Sequence, residues 1–162
     1  MLQLFFSSKL VLYRHILLKT SSRVRIYNDR KGQRALVCEA KGGNDLEVIF
    51  AVSEHILIAE LLGELDHHAA EHVREDIDDA VRENSASCLI LDFSKVRYMD
   101  SSGIGVVLGR YRKLSASGGE VVIASCSETV KNILNMAGIF SLMQYADTKE
   151  EAVTYFGGKE VL

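Results

Sequence analysis

The chain of 162 residues contains no proline, where average usage of about 5% would place roughly eight. Its helix and strand interiors therefore carry no proline breakers. Tryptophan is absent too, and cysteine is scarce: Cys38, Cys88 and Cys126, an odd count without close spacing. That excludes a disulfide scaffold and a cysteine metal centre. Cys88 and Cys126 adjoin apolar runs and read as buried, reduced thiols of a cytoplasmic protein. No apolar run approaches the roughly 20 residues of a membrane span. An excess of positive charge is also missing, since the formal net charge is -3, so no global field awaits nucleic acid. What is present, 48% hydrophobic and 25% charged residues, is the composition of a globular chain rather than a disordered one.

The sequence divides near residue 45. Before it, apolar stretches are interrupted by Lys9, Arg14 and His15, and Lys19, Arg23, Arg25, Arg30, Lys31 and Arg34 face Asp29 alone. The interruptions argue against a signal peptide. Residues 1–45 read as an N-terminal extension, either translated leader or disordered. Lys41-Gly42-Gly43 is encodable by codons resembling a bacterial ribosome-binding site, with a start at Leu46 or Val48. The alternation of basic and large apolar residues leaves a membrane-surface helix as the alternative.

From residue 46 to 160 the pattern predicts a single α/β domain. Glu47 to Val52 and His55 to Leu61 read as two strands joined at Ser53-Glu54. Asp66 to Asn84 reads as a helix, with Ala70, Val73, Ile77, Ala80 and Val81 inward. Cys88 to Phe93 reads as a buried central strand, and Ser102 to Ser115 as a helix with Ile104, Val107, Leu108, Tyr111 and Leu114 on one stripe. Ser117-Gly118-Gly119 ends that helix. A strand over Glu120 to Ser125 follows, then a helix over Glu128 to Ala137 with Val130, Ile133, Leu134 and Ala137 inward. A short strand over Leu142 to Tyr145 and a helix over Thr148 to Phe156 complete the chain. Strands alternating with helices imply parallel crossover units.

Two strand-to-helix loops carry the chemistry. Gly63 to His68 places Asp66 as an N-cap. Tyr98 to Gly105 places Asp100, Ser101 and Ser102 before a helix whose first turn holds Gly103 and Gly105. The plain reading of the serines is capping. Two glycines in a first turn, each costing a helix about 1 kcal/mol relative to Ala, indicate that something approaches the backbone. It is a packed element of the same chain, a partner or a phosphate. A phosphate on a serine here is favoured by the helix dipole and free N–H groups, and adds about -1.5 to -2 of charge beside Asp100.

Two other patterns are weaker. His68, Glu71 and His72 match the H-x-x-E-H spacing of one zinc peptidase class, but a charged, solvated helix face explains them far better and no third ligand is identifiable. His67 and His68 do not complete a serine triad, because no oxyanion hole or acidic orienter is identifiable.

The run from Leu62 to Glu71 (LGELDHHAAE) and the run from Tyr98 to Tyr111 (YMDSSGIGVVLGRY) resemble the anti-sigma factor antagonists of the STAS domain class, most of all the sporulation sigma-F branch. Gly118-Gly119-Glu120, Val130-Lys131 and Ala137 to Phe140 continue the resemblance over about residues 46–160. It implies a mixed sheet of four or five strands with about four helices packed on it, and no catalytic activity, cofactor or metal. It also implies a partner that is both an anti-sigma factor and an ATP-dependent serine kinase, and a serine phosphatase that reverses the modification. Neither nucleic acid nor membrane is a direct partner. The phosphorylated residue would be Ser101, and the partner face would hold Asp66, His67, Asp100, Ser101, Ser102, Gly103 and Gly105. Antagonism of a general-stress sigma pathway is the alternative within the same class. An anion-transporter domain is a further alternative, disfavoured by the lack of an apolar span.

Overall fold

Leu89, Ile90 and Leu91 alternate between two apolar clusters, which places their strand in the middle of a sheet covered on both faces. The computed structural model describes residues 23–28, 34–39, 46–53 and 55–158. Its seven strands run in chain order across one sheet: β1 (Arg23–Asn28), β2 (Arg34–Glu39), β3 (Glu47–Ser53), β4 (Ile56–Leu65), β5 (Cys88–Met99), β6 (Glu120–Ala124) and β7 (Gln144–Ala146). The pairs from β1 to β4 are antiparallel and those from β4 to β7 parallel. Each parallel step is made by a helix: α1 (His67–Glu83), α2 (Ser101–Ala116) and α3 (Glu128–Met136). A last helix, α4 (Lys149–Gly157), follows β7.

The mixed sheet of five strands from β3 to β7 with four helices matches the expected architecture. β1 and β2 extend it on the antiparallel side. The rest of the expected extension, including Lys41-Gly42-Gly43, lies outside the described residues, as does Glu54 of the expected hairpin turn.

Residues of α1, α2 and α3 pack on one face, around Leu57, Leu61, Leu91 and Phe93. Ala152 and Phe156 of α4 cover the other, over Ile90 and Val122. No helix among the described residues is long and apolar enough to cross a membrane. Cys88 and Cys126 are half-buried, and burial pushes the Cys126 thiol up to about 12.

Three details depart from the sequence pattern. The fully buried residues of α2 are Gly103, Val106, Val107, Arg110 and Leu114, with Ile104, Leu108 and Tyr111 only partly buried. The helix packs against α1 as well as the sheet, and Asp78 of α1 receives the Arg110 side chain. The expected inward residue Ala137 is instead the exposed C-cap of α3, and Ile133 is partly buried. The last strand starts at Gln144, because the Leu142 N–H donates back to the Ile139 carbonyl and closes a 3-10 turn over Ile139–Ser141.

Candidate functional site

β4 and β5 lie parallel, with Leu65 opposite Met99. Each strand ends one residue before a capping aspartate, so both loops open on one edge of the sheet. Asp66 is the N-cap of α1: its Oδ1 accepts from the His68 and Ala69 N–H groups, each at 3.0 Å. Asp100 caps α2, with Oδ1 accepting from the Ser102 N–H at 2.7 Å. The Asp100 N–H in turn donates to the Leu65 carbonyl at 3.3 Å. The two helix starts are thereby tied into one surface, and their unpaired N–H groups and dipoles point the same way.

The sequence dictates this alignment through particular residues. Gly63, at φ +116°, takes a conformation that L side chains rarely adopt, beside an irregularity in the β4–β5 register between Gly63 and Glu64. At Gly103, an added Cβ would lie 2.3 Å from Met99 Cγ and 3.1 Å from Leu65 Cδ2. The close approach expected at this position is therefore made by the protein's own strand ends. Gly105 is different: it is exposed, and a Cβ there would meet nothing within 4 Å.

Among the expected site residues, Ser101, His67 and Gly105 are exposed, Asp66, Asp100 and Ser102 are half-buried, and Gly103 is buried. Ser101 is the first residue of α2, so its side chain stands at the positive end of the helix. The Ala69 N–H, assisted by the His68 N–H and the two neighbouring imidazoles, holds the Asp66 carboxyl below its ordinary value against the opposing effect of desolvation. The His67 and His68 rings lie 3.8 Å apart between centroids, in the open.

The zinc pattern does not assemble. His68, Glu71 and His72 are exposed along α1, and the group whose ligand atoms converge within 4.8 Å among the described residues is Asp66, His67 and His68. One surface feature escaped the residue-by-residue reading. Tyr98 is 53% exposed beside the Ser101 loop, where the register irregularity pairs it with Glu64. From the sequence it falls in the loop, whereas the strand runs on to Met99 and Tyr98 is its last residue but one.

This fold, with two capped helix starts joined at one sheet edge, defines a small α/β domain with a mixed sheet. The chain belongs to the STAS domain family, which it matches over residues 47–152. Within that family it is similar to the anti-sigma F factor antagonist of Paenibacillus polymyxa, at 37% identity over 99 residues, 61% of this chain and 85% of the relative. Among solved structures it resembles the anti-sigma factor antagonist SpoIIAA in its unphosphorylated form, with TM-score 0.59 and 36% identity, over 72% of this chain and 97% of that one. The phosphorylated form of the Bacillus cell fate determinant SpoIIAA aligns with TM-score 0.54 and 35% identity, over 70% of this chain and 99% of that one. Anti-sigma factor antagonism is the function this likeness supports.

Proposed function

We propose that the chain is an antagonist in a sigma-F-type sporulation pathway, and that its switch is the hydroxyl of Ser101. The unphosphorylated form binds an anti-sigma factor that is also a serine kinase and so releases the sigma factor. Phosphorylation of Ser101 ends the binding, and a serine phosphatase restores it. All of this takes place in the cytoplasm.

The observation that carries this reading is the placement of Ser101: exposed, first in α2, on a loop hydrogen-bonded to the Asp66 loop. A neutral hydroxyl there permits close docking, with the open face at Gly105 one turn further along the helix. His67 and Asp66 border the same surface. The exposed ring of Tyr98 supplies the kind of aromatic anchor on which interfaces concentrate affinity. A phosphate would rest at the helix N-terminus without disturbing the fold. It would also bring a dianion, beside the Asp100 carboxylate, into a contact that must exclude water. An unpaired buried charge costs several kcal/mol, and each 1.4 kcal/mol is about tenfold in affinity. The sigma-F assignment is supported by the relative from Paenibacillus polymyxa, and the phosphorylation by the likeness to a phosphorylated form of SpoIIAA.

Incubation with the cognate kinase and ATP, followed by peptide mapping, tests the site. Label on Ser101 is expected, and label on Ser102 with none on Ser101 overturns the assignment. Ser101→Ala should accept no phosphate and keep its binding, while Ser101→Asp should bind poorly.

A further inference from the structure

At the opposite end of the two helices, the C-terminal halves of α1 and α2 border an open cavity of about 240 Å³ lined in part by Asp78, Arg82, Arg110, Lys113, Leu89 and Leu114. Arg110 is its unusual member. Its side chain is only 5% exposed, and its guanidinium stays charged at any physiological pH. The Asp78 carboxylate lies 2.7 Å from Nε, and Nη1 has no hydrogen-bond partner among the described residues. Burial pushes the guanidinium below its ordinary value; Asp78 offsets this in part, and Arg74 adds repulsion. Asp78 also pairs with Lys113, and Asp79 with Arg82. Three cations, Arg82, Arg110 and Lys113, therefore line the cavity with Asp78 as the carboxylate among its lining residues, and the buried Nη1 donor remains unfilled.

We propose that this cavity binds a small phosphate-class oxyanion. The unpartnered Nη1 of Arg110 can donate a charge-assisted hydrogen bond to an oxygen of such a group. Lys113, two-thirds exposed, is free to turn from Asp78 to the ligand, and Leu89 and Leu114 offer an apolar wall to an organic substituent. The positive excess disfavours metal ions. The site is separate from the Ser101 surface and does not depend on the function proposed for it.

The test is a titration of the isotope-labelled full chain with inorganic phosphate and with phenyl phosphate, at constant ionic strength, against a sodium chloride control. Saturable amide shifts confined to residues 78–89 and 110–117 are expected. Tighter binding of phenyl phosphate would identify an organic phosphate as the ligand, and equal binding the free ion. Lys113→Ala, at an exposed position that should not disturb folding, is expected to weaken binding by about tenfold or more, and Arg110→Lys to abolish it. Shifts that follow chloride, shifts centred on the helix starts at residues 66–69 and 100–103, or unchanged binding by Lys113→Ala would each overturn the proposal.

Discussion

Gly103 and Gly105 stand two residues apart in one helical turn and answer to opposite demands. A methyl group at Gly103 collides with Met99 and Leu65, and overpacking of this kind costs about 1–3 kcal/mol. A methyl at Gly105 enters open space and should gain up to about 1 kcal/mol of helix propensity. Gly103→Ala is thus expected to lower the urea midpoint and Gly105→Ala to raise it. If partner docking uses this face, Gly105→Ala should bind the anti-sigma factor more weakly although it is the more stable protein. Asp76 offers a second test at single-residue resolution. Burial raises its carboxyl to about 6, against the lowering influence of His72 and with added repulsion from Asp79 and Glu75, and Oδ2 has no hydrogen-bond partner among the described residues. A folded-state value above the unfolded one means that the native protein binds the extra proton, so Asp76 favours folding at low pH and opposes it as pH rises through about 6. Asp76→Asn should therefore stabilise the protein at pH 7, with the gain vanishing below the unfolded value of 3.8.

At the level of elements, the helix boundaries were legible because their signals are local. Asp66 and Asp100 accept the bonds that define the starts of α1 and α2. Ser127 and Thr148 cap α3 and α4 in the same way. Removing the cap by Asp100→Ala should cost about 1 kcal/mol, while Asp100→Asn, which keeps an acceptor, should cost much less; chemical denaturation of both variants measures the difference. What the sequence pattern missed was non-local. Arg110 is buried because Asp78, on another helix, is there to pair with it, and no periodicity within α2 announces that. Leu142 looked like the start of a strand, yet it is 48% exposed because a turn closes back on Ile139. Tyr98 is turned outward by strand pairing that only the assembled β4–β5 ladder displays.

The whole molecule explains how a switch can operate without a change of fold. Both candidate loops sit at the carboxyl ends of parallel strands, outside the sheet, where open α/β domains place their binding surfaces. The core beneath them is continuous from Leu46 to Met143. Phosphorylated and bare protein should then share one circular dichroism spectrum and nearly one thermal midpoint; a phosphoprotein that melts many degrees lower would mean that the modification acts by unfolding. The domain pattern from residue 46 onward was readable because alternating strands and helices leave few topologies open. The β1 and β2 strands were not, since basic residues interrupt them and only the pairing of β2 with β3 and of β1 with β2 reveals their role.

The most direct measurement is the affinity of the purified anti-sigma factor for the full chain in two states, bare and stoichiometrically phosphorylated at Ser101. Tight binding of the bare protein and at least a tenfold loss in the phosphoprotein, equivalent to about 1.4 kcal/mol, is the expected result. Equal affinity of the two states would contradict the assignment of Ser101 as the switch.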